Sequence, residues 1–110
     1  MSERIRQVNE EIKKAVGIFL QRDLSDPAGL ITVIAVETTP DLKRALVWYG
    51  YLGTKPEKYV AEILKKERGA CQKYVNSVLH LRFLPRIEFR YDTSGDYAQK
   101  ISEIIRNIDQ

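Results

Sequence analysis

The chain has 110 residues, enough for one domain that buries roughly two-thirds of its unfolded surface without a disulfide or metal staple. A hydrophobic fraction of 44% and a charged fraction of 30% exclude a disordered chain, and no run of about 18 apolar residues is available to span a membrane. The net charge is only +3, but residues 55–90 carry nine basic and four acidic groups, net +5, which favours an anionic partner.

Ile5, Val8, Ile12, Ala15, Val16, Phe19 and Leu20 recur three and four apart and predict a helix of about five turns. Asp26-Pro27-Ala28-Gly29 ends it in a turn. The β-branched run from Leu30 to Glu37 predicts a strand, and the segment Thr38 to Lys43 has turn chemistry. Arg44 to Leu52 predicts a second strand, antiparallel to the first in a hairpin. Its aromatics raise two readings. Val47, Tyr49 and Tyr51 share one face and Leu46, Trp48 and Leu52 the other, so the rings serve either as core or as a platform for RNA bases. Core packing is the ordinary role.

Thr54 is expected to cap a second helix, with Pro56 in its first turn and Glu57 closing a capping box. That helix reaches about Leu79. In Pro85 to Tyr91, Ile87, Phe89 and Tyr91 alternate with Arg86, Glu88 and Arg90, as in a half-exposed strand. After a turn at Thr93-Ser94-Gly95, Tyr97, Ile101, Ile104, Ile105 and Ile108 predict a C-terminal helix. The order α-β-β-α-(α)-β-α describes a single α+β domain over residues 1–110, a mixed three-stranded sheet with helices on one face, and residues 93–110 as a C-terminal helical extension.

Within the second helix, Val60, Ile63, Leu64, Cys71, Tyr74, Val75 and Val78 keep one apolar phase across Gly69. Gly69 costs about 1 kcal/mol relative to alanine in a helix, and Glu67 lies within the apolar stripe. Two geometries are consistent with this: a helix bent at Glu67–Gly69 that opens Glu67 to solvent, or a straight helix with Glu67 at the edge of the stripe. Lys58, Lys65, Lys66, Arg68 and Lys73 surround this point. They form either a phosphate-contacting surface, aided by free N–H groups at a bend, or a solvated charged face.

Asp26-Pro27, the run ITVIAVETTPDLKRALVWY (Ile31 to Tyr49) and the run LRFLPRIEFRYD (Leu81 to Asp92) resemble the ribosome-binding factor A family in order and spacing over about residues 4–92. The resemblance implies a type II KH-like domain that binds the small (30S) ribosomal subunit and 16S ribosomal RNA. In the family a helical kink marked Ala-x-Gly replaces the Gly-x-x-Gly loop of KH domains. Here the matching residues are Glu67-Arg68-Gly69, so the glycine agrees and the alanine does not. The implied role is a ribosome biogenesis factor acting late in subunit assembly and assisting rRNA processing at the 5′ end of 16S rRNA. The RNA-binding residues expected on this basis are Lys58, Lys65, Lys66, Arg68, Gly69, Lys73, His80 and Arg82.

The residue inventory points away from an enzyme. Cys71 and His80 are the only cysteine and histidine, too few for a zinc site, and Cys71 falls on the apolar stripe. Asp23 and Asp26 flank a turn, where capping is their ordinary role, and no phosphate-cradling glycine motif occurs. No cofactor and no membrane partner are expected, and a cytoplasmic monomer is the default. The alternative function is a generic KH-like nucleic-acid-binding or protein-interaction module, docking through an exposed strand edge or the final helix.

Overall fold

A computed structural model of the protein describes residues 3–23 and 29–93. The first apolar stripe winds into helix α1 (Glu3–Arg22), burying Ile12, Ala15, Val16, Phe19 and Leu20 as the periodicity predicts. Asn9 joins them. Its buried amide is satisfied across the domain, where Oδ1 accepts a 2.5 Å hydrogen bond from the Thr38 hydroxyl at the end of the first strand. The Asp26-Pro27 turn and the expected C-terminal helix lie outside the described residues.

Strands β1 (Gly29–Thr38) and β2 (Arg44–Gly53) form the expected antiparallel hairpin. β3 (Arg86–Tyr91) pairs parallel with β2, from Arg44 opposite Arg86 to Tyr49 opposite Tyr91. The sheet is therefore mixed, in the order β1-β2-β3. A bulge between Val33 and Ala35 shifts the register, so that Val36 lies opposite Val47 and Thr38 opposite Ala45. This returns Val36 to the buried face after an extra residue, an irregularity that simple alternation does not anticipate. At the other end of the hairpin, Gly29 adopts φ +151°, and a Cβ there would stand 2.5 Å from the Leu52 carbonyl oxygen. Only glycine fits.

Helix α2 (Glu57–Val78) connects β2 to β3 and differs from expectation at its N-terminus. Pro56 occupies the N-cap in an extended conformation and Thr54 makes no cap, because the helix starts two residues later than a Thr54 cap requires. The Glu57 carboxylate turns inward instead and accepts a 2.9 Å hydrogen bond from the Tyr49 hydroxyl. The helix is also unbroken through Gly69 across all 22 residues, so no second helical start presents free N–H groups. The cause lies on both sides of Gly69: Leu64, Cys71 and Val75 are all buried on the same core, while Glu67 is only half-buried at the stripe's edge. No bend is needed to let its carboxylate reach water.

Both helices cover one face of the sheet. Ala45, Val47, Tyr49 and Ile87 meet Val16 and Phe19 of α1 and Val60, Leu64, Cys71 and Val75 of α2 in one cluster. Tyr49 is core, with its ring 5.5 Å from Tyr91 and edge-on to Phe89. Tyr51 packs against the same cluster and its hydroxyl accepts from the Lys55 backbone N–H. The aromatic pair on this face is therefore packing. Trp48 points to the opposite face, half-buried, its indole N–H shielded with no acceptor among the described residues. No helix among the described residues is long and apolar enough to cross a membrane.

Candidate nucleic-acid interface

The periodicity that buries one side of α2 sets its basic residues on the other. Lys65, Gly69 and Lys73 follow at intervals of four, one above the next, with Lys66 beside them and Lys58 nearly two turns earlier. All five are exposed. At 1.5 Å per residue, Lys58 to Lys73 covers about 22 Å of helix axis. None of the four lysines has a carboxylate partner among the described residues, whose ion pairs all belong to arginines. Gly69 sits in the middle of this stripe facing open space, where a Cβ would meet nothing within 4 Å. Neither packing nor backbone conformation asks for a glycine there.

Arg68 belongs to a different side of the helix. It is half-buried, and its guanidinium donates to the Ile87 carbonyl at 3.3 Å and to Gln72 Oε1 at 3.4 Å. Gln72 completes the arrangement: Oε1 accepts the Ile87 N–H at 2.8 Å while Nε2 donates to the Pro85 carbonyl at 3.3 Å. These side chains satisfy the outward backbone groups at the start of β3, which would otherwise form an unpaired strand edge. Arg68 thus joins helix to sheet while the lysines face solvent.

Between α2 and β3 lies a cleft of about 420 Å³ whose wall includes Lys65, Arg68, Arg86 and Arg90. Glu88, also in the cleft, pairs with Arg44 at 3.2 Å and Arg90 at 3.3 Å. Arg86 and Arg90 are functional candidates that sequence reasoning passed over as the solvent face of a strand. Their signal was the four-residue spacing of Arg86 and Arg90, which puts both on one face of β3, but only the packing of α2 beside that strand brings them to Lys65. His80 and Arg82 are exposed and lie apart from the lysine stripe, in the loop from α2 to β3.

Other reactive groups are absorbed by the core. Cys71 is fully buried, and loss of solvation pushes its thiol up to about 12 from 9.0, so it holds its proton at neutral pH. Burial, and then the hydrogen bond to Glu57, raise the Tyr49 phenol well above its ordinary value. Among the described residues no three His, Cys, Asp or Glu side chains come together as metal ligands would. What the surface offers is an unpaired cationic stripe beside an arginine-lined cleft, suited to phosphates held by charge and shape.

The family model described as ribosome-binding factor A matches residues 4–105. The chain belongs to the ribosome-binding factor A family. The ribosome-binding factor A of Geobacter sp. strain M21 is 37% identical over 110 residues, spanning 98% of this chain and 92% of that one. Among solved structures, a Thermotoga maritima protein described as a ribosome binding factor A superposes with a TM-score of 0.71 at 31% identity, covering 86% of this chain and 92% of the other. A homology model of the Thermus thermophilus ribosome binding factor A, as fitted into a cryo-electron microscopy map of its 30S complex, gives a TM-score of 0.70 over 82% of this chain and 97% of that one. At 22% identity that last likeness speaks for the fold alone. The α+β architecture with a three-stranded mixed sheet is therefore the family's.

Proposed function

We propose that this protein is a non-catalytic assembly factor of the small ribosomal subunit. In this reading it engages 16S rRNA through the outward face of α2 and assists late maturation, including processing of the 5′ end. The reading includes a type II KH-like fold, a cytoplasmic monomer and no cofactor. Membership of the ribosome-binding factor A family supports the partner, and the antiparallel β1–β2 and parallel β2–β3 pairing supports the KH-like topology. The observation that carries the proposed site is the set of exposed lysines without a carboxylate partner among the described residues, Lys58, Lys65, Lys66 and Lys73, around a glycine the fold does not require. Gly69 lets a backbone approach the helix closely, and the lysines supply the countercharge. Arg68 serves by holding α2 to β3, and His80 and Arg82 extend the contact along the following loop.

Co-sedimentation with free small subunits and with whole ribosomes tests the reading, with preference for free subunits expected. Replacing Lys65, Lys66 and Lys73 by alanine should flatten the salt dependence of rRNA binding by about two log units per decade, at about 0.7 per single-strand phosphate contact. An unchanged slope would remove this face from the interface. A dimer formed by strand addition at β3 is disfavoured, because Gln72 and Arg68 already occupy the edge at Pro85–Ile87.

A further inference from the structure

A second surface lies away from the lysine stripe, where the start of α1, the β1–β2 turn and the α2–β3 loop converge. Phe83 is 83% exposed there, an aromatic ring presented to solvent by a loop. Leu81 and Leu42 are exposed beside it, and with Ile5, Arg4 and Arg82 they line a groove of about 500 Å³. That volume falls in the range of about 300–1,000 Å³ common to small-ligand sites. The walls are tied together, since the Arg86 N–H at the end of the loop donates to the Lys43 carbonyl in the turn at 2.8 Å.

Leu42 is the strained member. It is the one non-glycine residue with positive φ, at +62°, among those described. The Thr39–Leu42 turn closes through a 2.8 Å bond from the Leu42 N–H to the Thr39 carbonyl, and Asp41 accepts from the Thr39 hydroxyl and the Lys43 N–H. Hairpins of this kind place glycine at the left-handed position. A leucine there holds an apolar side chain against the groove at a conformational cost, and its side chain remains 55% exposed.

Charge decides which ligand suits the groove. Two guanidinium groups and no carboxylate line it. The nearby carboxylates are engaged, Glu3 by Arg6 and Asp41 by its own turn. The Arg82 guanidinium lies over the Phe83 ring, 5.9 Å from its centroid, close enough for a cation–π contact. A ring with a cation over it and apolar flanks matches the way proteins hold unpaired bases. We propose that this groove takes an unpaired nucleobase of single-stranded RNA, stacked on Phe83, with Arg82 and Arg4 on the adjacent phosphates. The inference rests on the reading of the chain as an rRNA-binding factor and adds a base-stacking site to its phosphate contacts.

The test compares the full chain with its Phe83→Leu, Phe83→Tyr and Phe83→Ala variants for binding to oligoadenosine single strands and to free small subunits. Phe83→Leu should weaken oligoadenosine binding by about 5- to 150-fold, Phe83→Tyr should stay within about twofold, and the salt slope should not move in either. All should melt like the parent, since an exposed side chain contributes little to stability. Parent-like oligoadenosine binding by Phe83→Leu would overturn the stacking site while leaving the assembly role standing. Subunit binding lost in Phe83→Ala but kept in Phe83→Leu, with oligoadenosine binding unchanged, would also overturn it and assign the groove to a protein segment. Failure of the parent chain itself to sediment with free subunits would sink the assembly reading and the groove with it.

Discussion

Gly29, at the start of β1, and Gly69, midway along α2, are placed in opposite circumstances by the fold. At Gly29 the backbone lies in a conformation that side chains avoid, with the Leu52 carbonyl and the Gly53 Cα pressed against the position a Cβ would occupy. At Gly69 the helix is regular and the space around it is empty. The first glycine answers a demand made inside the molecule. The second answers none, and it stands among lysines that have no carboxylate partner among the described residues. A residue that weakens a helix and serves no internal contact points outward, to whatever that face meets.

The contrast is open to direct attack. Gly29→Ala should destabilise the domain by about 3 kcal/mol, from the clash and the unfavourable φ together, measured by urea denaturation. A loss well below this would mean that the hairpin end relaxes and that Gly29 is no more constrained than Gly69. Gln72→Ala tests the inner side of α2. It leaves the Ile87 N–H without its acceptor and should cost about 1–3 kcal/mol, whereas Lys65→Ala should change stability by no more than about 0.5 kcal/mol. Equal costs would erase the distinction between the two sides of the helix. Gly69→Ala has the smallest effect on folding and the opposite sign, raising stability by about 1 kcal/mol. The same variant should bind free subunits more weakly. Tighter folding with undiminished binding would show that the missing side chain does not serve the contact.

The readable parts of this fold are those governed by local periodicity. The stripe from Ile5 to Leu20, the hairpin strands and the alternation of Ile87, Phe89 and Tyr91 all follow from repeats of 3.6 and 2, and all recur in the structure. The phase of the apolar stripe across Gly69 carried real information as well, because α2 is one helix. No second helical start follows Gly69, since burial on both sides of the glycine keeps the helix whole. Thr54 was misplaced as a cap because capping boxes are common local patterns, and the tertiary bond between Glu57 and Tyr49 overrode this one. Arg68 and the lysines look equivalent in one dimension. What separates them is the β3 edge 19 residues further along the chain, which no spacing rule within the helix reveals. Leu42 was hidden for a related reason: turn chemistry was evident in Thr39-Pro40-Asp41, but the residue left with positive φ is set by the hairpin's closing bonds.

The parallel pairing of β2 with β3 has a consequence for the order of events during synthesis. Arg44 finds Arg86 across an intervening stretch that includes all of α2, a long-range closure of the kind that forms late. The hairpin and α1 leave the ribosome first, and the lysines of α2 are present before β3 has docked. Until it docks, the nascent chain has cationic attraction without the arginine wall that gives the cleft its shape. Completion of the sheet is therefore the step that sets Arg86 and Arg90 beside Lys65 and gives the cleft its wall.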